Sequence, residues 1–391
     1  MSKKLEFIED RRGTDSMKWD MTEARFGAKD VIPLWVADMD IKAPRPVIDA
    51  LKEKVEHGIF GYPAPSVKAD EAICTWLLNR YSWEVNPESF IYTSGIVPTI
   101  SHMIQAFTEP GDEVIIQTPV YYPFYDVIEK NGRVILKNSL KRVEDQYEMD
   151  YDHLESLITE KTKVLLLSHP HNPVGRVWKQ EELEKVAQIC KKHDLLVISD
   201  EIHADLLFDG QKHIPIASIN EDMAMRTLTC LAPSKTFNLA GIQASYAVVI
   251  DPNKRLKLKQ FIQSTFSSIN IFSQAATEAA YRHGEEWLSE LMDYIQQNYE
   301  FVEQYFKEHM PKIKPIKPEG TYLLWIDFEE LGMPEKERNE WLLHEAKVAF
   351  NHGPIFGPEG EHFERMNLAC SKDTLAKALK QMKQAYDKKG F

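Results

Sequence analysis

The segment LLVISDEIHADL (Leu195–Leu206) is the most informative about the fold. In it, a short apolar run is followed directly by two carboxylates, Asp200 and Glu201. The segment before it has helical spacing, with Leu183, Val186 and Cys190 on one face and Lys and Glu on the other. A short continuous apolar run beside an amphipathic helix is typical of a strand that is buried on both faces of a parallel sheet. We therefore predict that Asp200 stands at the carboxyl end of such a strand.

The same alternation of apolar runs and helical segments continues through the middle of the chain. The further apolar runs are Phe90–Thr93, Glu113–Gln117, Val134–Leu136, Val164–Ser168, Thr227–Leu231 and Tyr246–Ile250. Strands that alternate with helices predict an α/β fold. We expect a mostly parallel sheet of the seven-stranded type, covered by helices.

The two ends of the chain have a different pattern. After a long helical stretch, prolines at positions 311, 315 and 318 interrupt the chain, and an apolar run (Tyr322–Ile326) and two more helical segments follow. The first 45 residues lack strong periodicity. We predict a large α/β domain over residues 46–285 and a smaller α+β domain that residues 1–45 and 286–391 build together.

Composition and charge limit the class of function. The 391 residues include 47 Lys and Arg against 60 Asp and Glu, a net charge of −13, which argues against nucleic-acid binding. The four scattered cysteines contain no C-x-x-C pair and are typical of a reducing cytoplasm. The first residues lack the apolar region of a signal peptide, and no apolar run approaches the roughly 18 residues of a membrane span. We expect a cytoplasmic protein that does not bind a membrane.

Ligands of open α/β sheets bind beyond the carboxyl ends of the strands, so the residues that follow the apolar runs are the candidates for ligand contacts. In TSGIVPTISHMIQAF (Thr93–Phe107) a strand ends, Gly95 permits a tight turn, and a helix begins near Pro98. The free N–H groups at a helix N-terminus form an anion site that suits a phosphate. The segment matches neither the dinucleotide nor the P-loop motif, and a plain strand–turn–helix is the alternative.

Three further polar residues follow apolar runs. Asn172 lies between two prolines in LLLSHPHNPVG, Asp200 ends its own run, and Lys235 lies beyond Thr227–Leu231 in LTCLAPSKTFNLAGIQ. Each has an ordinary alternative when taken alone: a turn Asn, a capping Asp and a surface Lys. A buried Asp200 needs a cationic partner, however, and Lys235 becomes a nucleophile where burial and nearby cations lower its pKa.

One ligand satisfies all four positions. It carries a phosphate, an oxygen for Asn172, a ring nitrogen that becomes cationic beside Asp200, and an aldehyde for Lys235. Pyridoxal 5′-phosphate (PLP) has these groups, and its protonated ring acts as an electron sink. We therefore predict a PLP enzyme in which Lys235 forms the Schiff base, and we predict no metal site.

The order and spacing of these motifs resemble the fold-type I aminotransferase superfamily over nearly the whole chain. Within it, the chain is similar to the MalY/PatB family of cystathionine β-lyase-type carbon–sulfur lyases. The motifs that carry this likeness are WVADMD (Trp35–Asp40), FGYP (Phe60–Pro63), TPVYYPF (Thr118–Phe124), HNPVGRVW (His171–Trp178) and SDEIHADL (Ser199–Leu206).

The resemblance implies roles for further residues. Tyr121 is expected to stack on the pyridine ring and to act in catalysis with Lys235 and Asp200. Arg365, in RMNLACS, is expected to hold the substrate α-carboxylate through its bidentate guanidinium. Tyr62 is expected to reach the cofactor phosphate of the neighbouring subunit, which implies a homodimer with its sites at the interface. The implied phosphate-binding group within the chain consists of Gly95, Ile96, Val97 and Ser234.

Three positions depart from the common aminotransferase pattern. His203 stands where a Tyr is usual, and we keep it among the cofactor-binding residues. Gln243 replaces a phosphate-binding Arg, and Ala232 replaces a Ser or Thr. These changes weaken the assignment as a transaminase and favour the lyase branch.

The implied function is a PLP-dependent carbon–sulfur β-lyase. It would act on a sulfur-containing amino acid such as cystathionine, by α,β-elimination to a thiol, pyruvate and ammonia. An aminotransferase of class I or II is the first alternative, because it would share every cofactor residue. A regulator that acts by binding another protein is the second.

Overall fold

The computed structural model of the chain describes residues 5–8 and 10–391. Within that part, no helix is both long and apolar enough to cross a membrane. The α-helices are α1 (Met17–Asp20), α2 (Thr22–Phe26), α3 (Arg45–His57), α4 (Val67–Tyr81), α5 (Ile96–Phe107), α6 (Pro123–Glu129), α7 (Tyr151–Ser156), α8 (Gln180–Lys192), α9 (Glu221–Arg226), α10 (Pro233–Thr236), α11 (Pro252–Ser264), α12 (Ile271–His283), α13 (Glu285–His309), α14 (Glu335–Glu340) and α15 (Lys372–Lys389).

Among the described residues, the strands form one large sheet and three smaller ones. In chain order they are β1 (Ile32–Pro33), β2 (Phe90–Thr93), β3 (Glu113–Ile116), β4 (Val134–Lys137), β5 (Lys141–Val143), β6 (Gln146–Glu148), β7 (Thr162–Ser168), β8 (Leu196–Asp200), β9 (Thr227–Leu231), β10 (Ser245–Val249), β11 (Lys314–Pro315), β12 (Leu323–Asp327), β13 (Val348–Ala349), β14 (Asn351–His352) and β15 (Phe363–Asn367).

The large sheet has seven strands in the order β2-β10-β9-β8-β7-β3-β4. The pairs from β9 to β4 are parallel, whereas β10 runs antiparallel to both of its neighbours. Each of the seven apolar runs in the middle of the chain forms one of these strands, so the predicted mostly parallel seven-stranded sheet is confirmed. Asp200 is the last residue of β8, opposite Ser168 in β7 and Cys230 in β9.

Both faces of the large sheet are covered by apolar side chains, because successive residues of a strand point to opposite faces. In β7, Leu166 packs with α5 residues such as Ile100 on one face. Its neighbours Leu165 and Leu167 pack with α8 residues such as Leu183 on the other. The sheet interior is therefore dry, and polar side chains gather at its carboxyl edge.

A second, antiparallel sheet of order β11-β12-β15-β14 comes from the C-terminal part of the chain. The N-terminal strand β1 pairs in parallel with β13, which brings both ends of the chain together. The predicted domain boundaries fall at the starts of α3 and α13, and residues 1–4 and 9 of the predicted small domain lie outside the described residues. The division into two domains stays a prediction.

A buried ion pair fixes β15 to α14. Arg338 Nε donates to Glu364 Oε1 at 3.0 Å, and the two side chains are 1% and 2% exposed. His352 Nδ1 lies 2.8 Å from the same carboxylate oxygen. Because water is excluded, a carboxylate left here without Arg338 would lose most of its stabilisation.

We expect Arg338→Met to lower the free energy of unfolding by about 3–5 kcal/mol, since it leaves a buried carboxylate without its main partner. Arg45→Met is the matched control, because Arg45 makes an exposed pair with Asp49 four residues along the same helix, worth about 0.5 kcal/mol. Urea unfolding of both variants measures the difference. Equal losses would show that the Arg338–Glu364 pair does not stabilise this sheet.

Candidate active site

A cleft opens at the carboxyl edge of the large sheet, between β7, β8 and β9 and the start of α5. The cleft encloses about 160 Å³. All predicted site residues except Tyr62 and Arg365 line it. The full lining is Ala37, Ser94, Gly95, Ile96, Val97, Tyr121, Ser168, Asn172, Asp200, Ile202, His203, Ser234, Lys235, Ala240, Gln243 and Ala244.

One end of the cleft is built from backbone N–H groups. Gly95 caps α5 with φ 147° and ψ 154°, a conformation that essentially only glycine adopts. The helix then begins at Ile96, so the N–H groups of its first turn have no acceptor within the helix. Ser234 and Gln243 also line the cleft. This arrangement fits an anion such as a phosphate.

Asp200 is a buried carboxylate without a cationic partner. Its Oδ1 accepts a hydrogen bond from Ile202 N at 3.2 Å, and in the part of the chain that the structure describes it forms no ion pair. Burial raises the pKa of Asp200 to about 7. The hydrogen bond from Ile202 and the charge of Lys235 lower this pKa, but by less. A cationic ligand nitrogen would supply the missing charge.

Lys235 lies in α10, immediately after β9. Its Nζ donates to the carbonyl oxygen of Ala37 at 2.6 Å. Burial, and then the guanidinium of Arg365, lower the pKa of Lys235 to about 8, although Asp38 and Asp200 act in the opposite direction. A substantial fraction of the amine is therefore neutral near physiological pH and able to attack an aldehyde.

Asn172, His203 and Tyr121 stand around these two residues. Asn172 Oδ1 accepts a hydrogen bond from Arg365 Nη1 at 2.8 Å, which orients the amide NH₂ group of Asn172 as a remaining donor. His203 is buried and its Nδ1 has no hydrogen-bond partner among the described residues, and burial holds its pKa well below the usual range. Burial also raises the pKa of Tyr121, so its hydroxyl stays protonated.

Arg365 lies in β15, just behind Asn172. Its Nη2 donates to the carbonyl of Trp35 at 3.2 Å and to Asn351 Oδ1, and the guanidinium lies over the Phe356 ring, 4.8 Å from its centroid. Within the described residues, no carboxylate pairs with Arg365. Burial lowers its pKa to about 10, which is still high enough to keep the charge. A buried cation surrounded by neutral acceptors is suited to a carboxylate ligand.

Tyr62 does not reach the cleft of its own chain. Its side chain is fully exposed, as are those of Ile59 and Phe60 in large part. A monomer therefore neither supports nor contradicts the role predicted for Tyr62 in a neighbouring subunit, and that role stays a prediction.

Several residues of the site escaped the sequence analysis. Ser94 and Ser168 are direct neighbours of predicted elements, and their position in the strand-end motifs was a usable signal. Ala37 acts through its carbonyl, which no residue type reveals. Asn351 arrives from the second sheet, so only the folded chain brings it to Arg365.

Comparisons with known proteins agree with this geometry. A family model described as aminotransferase class I and II matches residues 29–382. Cystathionine beta-lyase PatB of Bacillus subtilis is 45% identical over 379 residues, 96% of this chain and 98% of that protein. Protein MalY of Escherichia coli is 31% identical over 379 residues, 95% of this chain and 96% of that protein.

A solved structure is similarly close. Cystalysin from Treponema denticola, whose crystal structure contains a pyridoxal 5′-phosphate cofactor, matches with a TM-score of 0.96 and 36% identity over 99% of each chain. These findings confirm the predicted fold-type I architecture and the predicted family. The chain belongs to the class I and II aminotransferase family and, within it, to the group that contains PatB and MalY.

Proposed function

We propose that this chain is a PLP-dependent carbon–sulfur β-lyase that acts on cystathionine or a similar sulfur-containing amino acid. PLP as the cofactor is supported by two residues that line one cleft. Asp200 is a buried carboxylate without a cationic partner among the described residues, and Lys235 is an amine with a lowered pKa. The observation that favours a lyase is the likeness to cystathionine beta-lyase PatB at 45% identity over nearly the full length of both chains.

The residues of the cleft fit PLP at each of its polar groups. The phosphate would be held by the N-terminus of α5, Ser234 and Gln243. Asp200 would take the ring nitrogen, which supplies the cation that this carboxylate lacks. The 3-oxygen would bind the Asn172 NH₂ group and His203, whose Nδ1 is buried and unpartnered among the described residues.

Each protein group then has a defined task in the elimination. When bound, PLP withdraws electrons from the substrate and so makes its Cα–H bond acidic. Arg365 binds the α-carboxylate and orients the Cα–H bond, and Lys235 Nζ takes the proton. The Cβ–S bond breaks and the sulfur leaves as a thiol, while water converts the remaining three carbons to pyruvate and ammonia. Asp200 keeps the ring nitrogen protonated throughout.

We further propose a homodimer in the cytoplasm. The exposed apolar side chains of Ile59, Phe60 and Tyr62 lie on one short segment, which supports burial against a second copy of the chain. All four cysteines are free, which is consistent with a reducing compartment. Sedimentation equilibrium of the purified protein tests the dimer.

An aminotransferase is the second candidate, because the matching family model is that of class I and II aminotransferases. Incubation with cystathionine, with and without 2-oxoglutarate, separates the two reactions. The lyase releases thiol and pyruvate in equal amounts and forms no glutamate, whereas glutamate formation without thiol release would contradict the proposed function. A pull-down with Lys235→Ala protein tests the remaining alternative of a regulator that binds another protein.

Lys235→Ala is expected to lower turnover by at least about 10³-fold, because the variant lacks the base and the amine that bonds the aldehyde. Borohydride reduction of the wild-type protein, followed by peptide mapping, should place the pyridoxyl group on Lys235. Lys336→Ala, at an exposed position, is the control and should keep full activity. A pyridoxyl group on another lysine would remove Lys235 from its proposed role.

Asp200→Asn is expected to retain bound PLP but to lose most of the activity, since a neutral amide cannot stabilise a pyridinium.

In the cofactor-free protein, Asp200→Asn should also change how the stability of the fold depends on pH. Burial raises the pKa of Asp200 from 3.8 to about 7, so the folded wild-type protein holds a proton that the unfolded chain loses. Stability from this group is complete below pH 4 and is lost as the pH rises through 7.

Thermal melts of the cofactor-free proteins between pH 4 and 8 measure this effect. Asp200→Asn should gain stability over wild type as the pH rises, whereas Asp209→Asn, at an exposed position, should follow the wild-type curve. Parallel curves for wild type and Asp200→Asn would mean that Asp200 titrates as an ordinary surface carboxylate.

Arg365→Lys is expected to lower kcat/KM for cystathionine, which corresponds to an activation free energy higher by about 2–4 kcal/mol. The effect should appear mainly in KM, because a point charge cannot replace the bidentate guanidinium. Cofactor content should be unchanged, since Arg365 is placed at the carboxylate and not at the phosphate. Arg45→Lys, in an exposed pair with Asp49, is the control. An unchanged kcat/KM would leave the α-carboxylate without its proposed partner.

A further inference from the structure

The hydroxyl of Tyr322 and the amine of Lys235 share one acceptor. Lys235 Nζ donates to the Ala37 carbonyl oxygen at 2.6 Å, and the Tyr322 hydroxyl donates to the same oxygen at 2.9 Å. A carbonyl oxygen has two lone pairs, so these donors use its full capacity. Tyr322, which the sequence analysis did not single out, is therefore an immediate neighbour of the proposed base.

The Ala37 carbonyl is held in place from both sides. The Asn367 side chain donates to the carbonyl oxygens of the two residues that flank Ala37, each at 2.6 Å. Asn238, three residues beyond Lys235, bonds through its amide to the backbone just after this segment. The acceptor that Lys235 meets is thus a rigid one.

A strained backbone aims Tyr322 at this oxygen. The preceding residue, Thr321, has φ 70°, a left-handed conformation that a β-branched residue rarely adopts. Its N–H donates to the carbonyl of Leu206 at 2.7 Å, which holds the strained turn. Tyr322 itself is 1% exposed, and its ring centroid lies 6.2 Å from that of His203. Strain that the surroundings maintain tends to occur at functional positions.

We propose that Tyr322 is a positioning residue: its hydroxyl fixes the Ala37 carbonyl, which directs the Nζ of Lys235 when this amine is free to take the substrate's Cα proton. The ammonium that results has three hydrogens that need acceptors, and a fixed acceptor limits the directions in which Nζ points. Burial holds the pKa of Tyr322 well above its usual range, so its hydroxyl remains a donor. The proposal rests on the proposed function, which makes Lys235 the base.

Tyr322→Phe removes the hydroxyl and keeps the ring. In the PLP-loaded enzyme we expect unchanged cofactor content, a KM within about twofold of wild type, and a kcat lower by about 10- to 100-fold, the size of effect that misplaced reacting groups produce. The kinetic isotope effect with Cα-deuterated cystathionine should increase, because proton removal becomes more rate-limiting. Tyr246→Phe is the matched control, since that hydroxyl is also buried and pairs with Tyr281 at 3.2 Å, away from Ala37.

A second measurement does not depend on the reaction. In the cofactor-free protein, the rate of PLP uptake should fall about tenfold in Tyr322→Phe and stay unchanged in Tyr246→Phe, because uptake requires a directed Lys235 amine. Asn367→Ser loosens the same segment from the other side. We expect it to slow uptake as well, and it provides the second test should Tyr322→Phe not fold.

Two outcomes separate the two proposals. If Tyr322→Phe matches Tyr246→Phe in kcat, isotope effect and uptake rate, the positioning role is wrong while the lyase function stands. If wild-type protein takes up PLP but releases no thiol, the lyase function is wrong, and the uptake rates still decide whether Tyr322 directs Lys235.

Discussion

Charges buried without a protein partner are the constraint on which the site depends. Asp200 ends a buried strand without a cationic partner among the described residues, and Arg365 lies behind the cleft among neutral acceptors. Each such charge costs several kcal/mol when it is unpaired and dry. The site therefore favours a cationic group beside Asp200 and an anionic group beside Arg365, which PLP and the substrate, respectively, would supply. Binding of these ligands relieves the cost, so ligand binding and stability of the fold are coupled.

The N-terminal segment Trp35–Asp40 contacts both Arg365 and Lys235 through its backbone. The carbonyl of Trp35 accepts a hydrogen bond from Arg365, and the carbonyl of Ala37 accepts one from Lys235. A single residue, Val36, thus separates the carbonyl that contacts the group for the substrate carboxylate from the carbonyl that contacts the group for the Cα proton. The β1–β13 pair ties this segment to the C-terminal part of the chain. A change in that packing would alter the spacing of the two cations, and with it the orientation of a bound amino acid.

The sequence predicts those parts of the molecule that obey local rules. Buried strands follow from apolar runs, and the edge that collects Asn172, Asp200 and Lys235 follows from parallel strands. Residues that act through tertiary placement could not be found this way. Ala37 contributes a backbone atom, Tyr322 depends on a strained Thr321, and Asn351 reaches Arg365 from another sheet. Their residue types are ordinary, so only the fold gives them a role. Tyr62 marks the remaining limit, because its proposed target belongs to a second copy of the chain.

The proposed positioning of Lys235 by Tyr322 and Ala37 bears on the choice between elimination and transamination. Elimination and transamination begin with removal of the same Cα proton by the same base, and they diverge over where that proton goes next. Transamination requires the base to move and return the proton to a different carbon, whereas elimination requires only that the sulfur leave first. On the proposal that Tyr322 and Ala37 hold the Lys235 ammonium, that second transfer is slowed, because Nζ must give up a fixed hydrogen bond before it moves. A restrained base combined with a good leaving group on Cβ therefore directs the reaction toward loss of the thiol.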